Sequence, residues 1–410
     1  MNSKYTTLKY ACYTTNITMS VVTNLSPLLF LTFRSLYGIS YSLLGLLVLV
    51  NFFTQLIIDL VFSFFSHKFN ISQTVKITPV LAAIGMVIYA IWPYILPNHT
   101  YTGIMIGTII FSVSCGLAEV LISPVIAAIP SDNTDGELSK LHSIYAWGVV
   151  GVVLVSTVFL FVFGSEKWQI LALGFTLIPL LSSFLFSISK IPALGTPEKV
   201  SGALDMLKNK TVWLCVIAIF LGGASECTMS LWSSSYLEQA MSIPKIWGDL
   251  LGMAFFGIML GLGRSLYAKF GENIERILLL GVIGATICYF VTAVTMNPVI
   301  GLITCGLTGL CASMLWPGSL IVASNRVTTG GVFIFAMMAA GGDLGASVGP
   351  QLVGSVTDIA MRLEPIIAFS KTMGLTSEQL GMKIGLLTGM FFPLFGIFVF
   401  VKILKTRSKD

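Results

Sequence analysis

Charge is what this sequence has least of. Asp, Glu, Lys and Arg make up 10% of its 410 residues, against roughly 25% in an average soluble domain. Hydrophobic residues make up 55% and mean hydropathy is +0.91, so water cannot be the only solvent for this chain. No Gly-Lys dipeptide occurs, which excludes a Walker A phosphate loop and ATP-driven work by this chain alone. The three histidines, His67, His99 and His142, fall in separate segments without metal-ligand spacing. The seven cysteines are odd in number, lack a C-x-x-C pair and sit inside apolar segments, which makes them small packing residues. No catalytic residue, metal site or cofactor is expected, and an enzyme is excluded on the same grounds. The net charge of +5 does not point to nucleic acid, because the basic residues never form a stripe.

What the sequence does have is apolar runs of spanning length. A hydrocarbon core about 30 Å thick needs roughly 20 apolar residues per helix, and the periodicity places helices near 10–33, 39–65, 75–96, 101–129, 141–163, 168–189, 211–236, 247–269, 274–296, 298–324, 331–357 and 381–404. The expected fold is therefore an all-α membrane protein of twelve transmembrane helices. Lys4 and Lys9 precede a long apolar stretch without a small-residue cleavage site, so the first helix is expected to be retained. With both termini cytoplasmic, inside segments collect 17 Lys and Arg residues and outside segments 6. The positive-inside rule favours that orientation in a cell membrane.

The longest inside connection, 191–210, carries Lys199, Lys208 and Lys210 with Pro192 and Pro197, and divides the chain into six-helix bundles at 1–190 and 211–410. Its end, Ala203 to Lys210, and the outside stretch 358–380 are candidates for amphipathic surface helices. A repeat supports two pseudo-symmetric halves. Gly116-Leu117 precedes Pro124 as Gly309-Leu310 precedes Pro317, an offset of 193, and Gly148 and Gly151 answer Gly342 and Gly345 at 194.

Four acids lie within the spans: Asp59, Glu119, Glu226 and Asp343. None has an evident basic partner at depth. An acid at mid-membrane costs about 2.5–3.5 kcal/mol on insertion scales and can carry a proton. Asp59, nearer a span end, reads better as a loop anchor at the headgroups. Helical spacing aligns Ser112, Cys115, Glu119 and Ser123 on one stripe, Glu226, Ser230 and Ser233 on another, and Asp343, Ser347 and Gln351 on a third. Asn16, Ser20 and Asn24, and Asn51, Gln55 and Asp59, give similar stripes on the first two helices. The third, sixth, ninth and twelfth spans have no ionisable side chain in their central portions, which makes them lipid-facing. Trp92, Trp168, Trp213 and Trp247 fall near span ends, as interfacial anchors do. Trp147, Trp232 and Trp316 lie deeper, where a flat ring can pack or stack on a sugar. Gly257 with Gly261, and Gly345 with Gly349, are small-xxx-small packing seams.

Together the spans, the repeat and these patches resemble the major facilitator superfamily, and within it the fucose-galactose-glucose/proton symporter branch. Gly116-Leu-Ala-Glu119-Val-Leu-Ile-Ser-Pro124, Leu141-His142-Ser-Ile-Tyr145-Ala-Trp-Gly148, Gly223-Ala-Ser-Glu226 with Trp232 and Tyr236, and Trp316-Pro317 carry that likeness. The superfamily loop motif survives in eroded form at 63–70, without its acid, and better at Gly261-Leu-Gly263-Arg264 and Lys269-Phe270-Gly271. The resemblance implies alternating access around a central cavity, with Glu119 at the position that takes part in proton coupling or sugar recognition. The first helix carries Asn16 and Asn24 where that branch has an acid, which leaves a second titrating group at Glu226 or uniport.

The expected function is secondary transport of a small polar solute, a sugar or related metabolite, coupled to protons or another ion; export of amphipathic drugs or lipids is the alternative. Glu119, Glu226 and Asp343 are the coupling or substrate candidates. Asn24, Gln55, Tyr145, Trp147, Ser230, Trp232 and Trp316 are the substrate-binding candidates.

Overall fold

The computed structural model describes residues 5–65, 68–130, 134–192, 208–270, 273–327 and 331–406. Among the described residues there is no strand. In hydrocarbon a backbone must satisfy its own polar groups, and a helix does so within one segment. The long helices are α1 (Thr6–Leu28, continued by Phe30–Tyr37), α2 (Tyr41–Phe65), α3 (Ile71–Ile95), α4 (Thr100–Ala127), α5 (Thr134–Phe163) and α6 (Trp168–Phe175 with Leu177–Ser187). They continue as α7 (Lys210–Met241), α8 (Lys245–Gly248 running through a π-helical turn, Asp249–Ala254, into Phe255–Phe270) and α9 (Ile274–Val294). The last three are α10 (Pro298–Ala312 with Leu315–Arg326), α11 (Gly331–Arg362) and α12 (Ser377–Gly389 with Phe391–Thr406).

Among the described residues nine of these are long and apolar enough to cross a membrane, and α1 taken with its continuation as one span is a tenth. The 30-residue α5 and 32-residue α11 complete a series in the expected order. Local chemistry sets several starts: Asn70, Asn209 and Asn297 accept the backbone N–H of Gln73, Thr211 and Val299. Thr376 and Gln379 form a reciprocal capping box at α12. Pro27 lies just before a 46° bend in α1, where its missing N–H and ring weaken the ladder. The stretch 358–380 includes a nine-residue helix, Glu364–Thr372.

Packing gathers the chain into two compact units, Met1–Thr32 with Val50–Val200, and Phe33–Leu49 with Ser201–Asp410. In the first, α1 packs on α4, α5 and α6, and α3 on α4 and α6. In the second, α7 packs on α10, α11 and α12, and α9 on α10 and α12. The scheme is the same, shifted by six helices, as duplicated halves require. Each unit has its own core, around Leu8, Leu121, Val125 and Phe186 in one and Ile219, Leu278, Leu315 and Phe400 in the other.

Small residues set the close approaches, since lipid tails remove the hydrophobic drive between helices. A Cβ at Gly116 of α4 would lie 2.9 Å from the Cβ of Ile58 on α2. At Gly309 of α10 it would overlap the Phe256 carbonyl of α8. The sequence repeat thus marks equivalent helix contacts. Gly345 and Gly349 seat against Phe220, Ala224 and Thr228 of α7, as the expected seam does. Gly261 has nothing within 4 Å, so the expected Gly257/Gly261 seam does not run through it; Gly263, against Ser313, makes the close approach on α8.

One tryptophan expectation changes. Trp168 is fully buried and meets Tyr89 edge-on at 5.6 Å, so it is a packing residue and not an anchor. Trp213 and Trp247 are exposed, as anchors are. The cysteines are all free and five are buried. The linker from 193 to 207, Ser66 and His67, residues 271 and 272, and the side chains of Ser123, His142, Lys269 and Phe270 lie outside the described residues.

Candidate functional site

In the first unit, the approach at Gly116 brings the polar stripe of α2 against that of α4. Ser112 Oγ donates to Asn51 Oδ1 at 2.6 Å, and Gln55 Nε2 donates to the same oxygen at 3.2 Å. About two turns beyond the Ser112–Asn51 contact on both helices, a carboxylate oxygen of Asp59 lies within 4.8 Å of one of Glu119. Asp59 is 2% exposed, which corrects the reading of it as a headgroup anchor.

Beside that seam, α1 is tied to α5. Asn16 Nδ2 donates to the Leu141 carbonyl at 2.9 Å and Ser20 Oγ to that of Tyr145 at 2.8 Å. Asn24 Nδ2 donates to the Ser20 carbonyl of its own helix at 2.9 Å and is buried. Tyr145 is half-buried, and Trp147 is 72% exposed.

The second unit places a cation where the sequence suggested none. Arg264 Nη2 on α8 donates to both oxygens of Glu226 on α7, at 3.0 and 3.3 Å, while its Nε donates to the Ser313 carbonyl of α10 at 3.1 Å. Glu226 therefore has a basic partner, contrary to expectation. In the sequence Arg264 reads only as part of a loop motif, because it lies near the predicted inner end of its span. A guanidinium on a long apolar stem reaches inward from such a position. The two side chains are 36% and 14% exposed, so the pair stands partly open.

Asp343 on α11 is buried, and Ser347 on its stripe donates to the Asp343 backbone carbonyl at 2.7 Å. Ser230 is half-buried, and its carbonyl accepts from Ser233. Trp232 is fully buried, donates its indole N–H to the Pro350 carbonyl at 3.0 Å and packs on Tyr41. The Trp316 ring fills the space over Gly223 and Gly342. Both indoles are thus engaged in packing within the second unit. A buried cation also lies on α12: Lys383 Nζ donates to the Thr295 carbonyl at 2.5 Å and to Tyr236 Oη at 3.4 Å, capping the C-terminal end of α9.

The structure brings together Asp59, Glu119, Gln55, Asn51 and Ser112 in one unit, and Glu226, Arg264 and Ser313 in the other. Amides and hydroxyls can accept and donate to solute hydroxyls, and a carboxyl can take and release a proton.

Comparison with known proteins agrees at the level of fold. A bacterial homologue of the human lysosomal transporter Spinster, in an inward-facing and occupied conformation, matches with a TM-score of 0.72 and 11% identity, over 99% of this chain and 98% of that one. A D-xylose-proton symporter matches at 0.71 and 15% over 95% and 97%. The fucose:proton symporter of E. coli matches at 0.59 and 14% over 96% and 99%. A search of curated protein sequences finds no match. The profile of the Major Facilitator Superfamily matches residues 11–350, and with the twelve long helices and their repeated pairing scheme it establishes that the chain belongs to that superfamily.

Proposed function

We propose that this transporter moves a small polar solute, a sugar or related metabolite, by alternating access and couples the movement to protons. The observation that carries the reading is the Asp59–Glu119 pair beside the Asn51–Gln55–Ser112 cluster. Two carboxylates this close in a medium of low dielectric repel, so the pair is a place to hold one proton. The adjoining amides and hydroxyl offer the directional partners that a hydroxylated solute needs. In this reading the bundles 1–190 and 211–410 rock about the linker 191–210, both termini are cytoplasmic, and the protein works in the cell membrane. Glu226, held by Arg264, and Asp343 supply the polar wall of the second bundle. Of the substrate-binding candidates, Gln55, Tyr145, Trp147 and Ser230 are retained.

The test is uptake into proteoliposomes under an imposed proton gradient, with hexoses, pentoses, nucleosides and hydrophobic cations compared and internal pH followed by an entrapped dye. Concentrative uptake of a polar solute, with acidification of the lumen, is expected. Flux of hydrophobic cations alone overturns the reading in favour of export of amphipathic compounds.

A further inference from the structure

Pro317 lies inside α10, just past the interruption of that helix at Ser313 and Met314. In an unbroken helix the Ser313 carbonyl takes the N–H of the residue four positions on. That residue is Pro317, which has no N–H to give. The Met314 carbonyl is served by the N–H of Gly318 at 2.7 Å. The Ser313 carbonyl is served from another helix, by Arg264 Nε of α8 at 3.1 Å. A carbonyl freed by proline within a span needs such a donor from a neighbour, and a guanidinium can give one N–H and keep others. The preceding residue makes room for it. A Cβ at Gly263 would overlap the Ser313 hydroxyl, so the glycine admits the opened turn of α10 and the arginine fills it.

The other half of the chain provides a control. Pro124 lies 193 residues before Pro317, and the carbonyl four positions before it belongs to Val120. There α4 runs unbroken from Thr100 to Ala127. The helix that packs on α4 as α8 packs on α10 is α2, and it contains no Lys or Arg. A proline at this position therefore does not by itself open the helix; the turn is open where an arginine serves it. Arg264 also has donors left over. Its Nη2 bonds both oxygens of Glu226 on α7, at 3.0 and 3.3 Å. The N–H groups of a guanidinium keep fixed angles in one plane, so pinning Nε to α10 fixes where Nη2 is directed.

We propose that Pro317 is the positioning residue for the Arg264–Glu226 pair: by withholding an N–H from the Ser313 carbonyl it creates the acceptor that fixes Arg264 Nε and aims Nη2 at Glu226. The proposal rests on the reading of that pair as the polar wall of the second bundle, but its test needs no solute. The full-length chain, carrying isotope-labelled arginine, is followed by NMR in lipid nanodiscs. It has six arginines, few enough for their Nε–H signals to be resolved, and Arg264 is identified by the signal that Arg264→Lys removes. In the unsubstituted chain this Nε–H is expected to exchange slowly with water. In Pro317→Ala the new backbone N–H takes the Ser313 carbonyl, and Arg264 Nε–H is expected to exchange about tenfold faster, the factor that 1.4 kcal/mol produces. Glu226→Gln keeps Pro317 intact and is expected to leave the Nε–H slow, a measurement that holds even where the proline variant fails to fold. The conservative replacement gives an independent reading. The ammonium of Arg264→Lys lacks the rigid fork that meets both partners, so it lowers the thermal midpoint, and Pro317→Ala in that background is expected to recover part of the loss. Unchanged Nε–H exchange in Pro317→Ala overturns the proposal, as does release of that N–H by Glu226→Gln alone. Purely additive midpoint shifts for Arg264→Lys and Pro317→Ala overturn it too. Failure of polar-solute flux together with Pro317-dependent protection of the Nε–H overturns the proposed function and leaves the role of Pro317 standing.

Discussion

The seam between α2 and α4 and the seam between α8 and α10 are built on the same backbone device and carry opposite chemistry. In each, a glycine repeated at an offset of 193 lets the two helices touch, Gly116 on Gln55 and Ile58 in one and Gly309 on Phe256 in the other. Beyond the contact, the first seam carries two acids, Asp59 and Glu119. The second carries Arg264, bonded to the α10 backbone and to Glu226 of α7. Duplication fixed the approach of the helices and left the side chains beyond it free to diverge. One half acquired a site where a proton relieves repulsion; the other acquired one where charge is already balanced.

The strongest way to break this comparison is to remove the acid from the first seam. Glu119→Gln is expected to abolish accumulation driven by a proton gradient, because an amide cannot take up and release the coupled proton, while solute exchange at equal pH persists. If Asp59 and Glu119 act as one unit, Asp59→Asn adds little in the Glu119→Gln background, since coupled residues are not additive. Proteoliposome uptake and counterflow measure both. Accumulation that survives Glu119→Gln would place coupling elsewhere.

The second seam is expected to answer in stability. Removing one partner of a buried pair costs about 3–5 kcal/mol, and the 36% exposure of the Arg264 side chain moves this pair toward the low end or below it. Glu226→Gln and Arg264→Gln are each expected to lower the thermal midpoint in detergent. The double variant is expected to unfold later than Arg264→Gln alone, because it leaves no uncompensated carboxylate. A double variant less stable than both singles would show that the two residues act independently.

Much of this was legible in the sequence, for physical reasons that also explain what was not. Spanning helices follow from run length, and the repeat at Gly116 and Gly309 was visible because only glycine permits those approaches. Glu119 was legible because its stripe lies on one helix. Arg264 was missed because its partners sit on two other helices and its stem carries the charge away from the position of its Cα. Asp59 reads as a headgroup anchor from its distance to a span end, because the sequence does not show that its carboxylate meets Glu119 of α4. Trp232 looked like a stacking platform, yet no periodicity reveals that the Pro350 carbonyl takes its N–H. Asp358 is illegible for the same reason: its carboxylate accepts the Tyr41 and Ser42 N–H groups at the start of α2, and a cap from more than 300 residues away leaves no local signature.

The smallest expected effect separates the two seams at the glycines themselves. At Gly116 an added methyl meets the Ile58 side chain at 2.9 Å and the Gln55 backbone at 3.1 Å. A side chain gives way by rotation, and the α2 backbone has only tenths of an ångström to yield. At Gly309 the methyl meets the Phe256 carbonyl itself, and that oxygen cannot move without displacing α8. Overpacking costs about 1–3 kcal/mol, so Gly309→Ala is expected near the upper end and Gly116→Ala near the lower, read as the difference in thermal midpoint. Gly116→Ala also pushes α2 away from α4, so it is expected to weaken coupling with little loss of stability, whereas Gly309→Ala loses stability first. Equal loss of stability with unchanged coupling in both would mean that the first seam, like the second, serves mainly to hold its helices together.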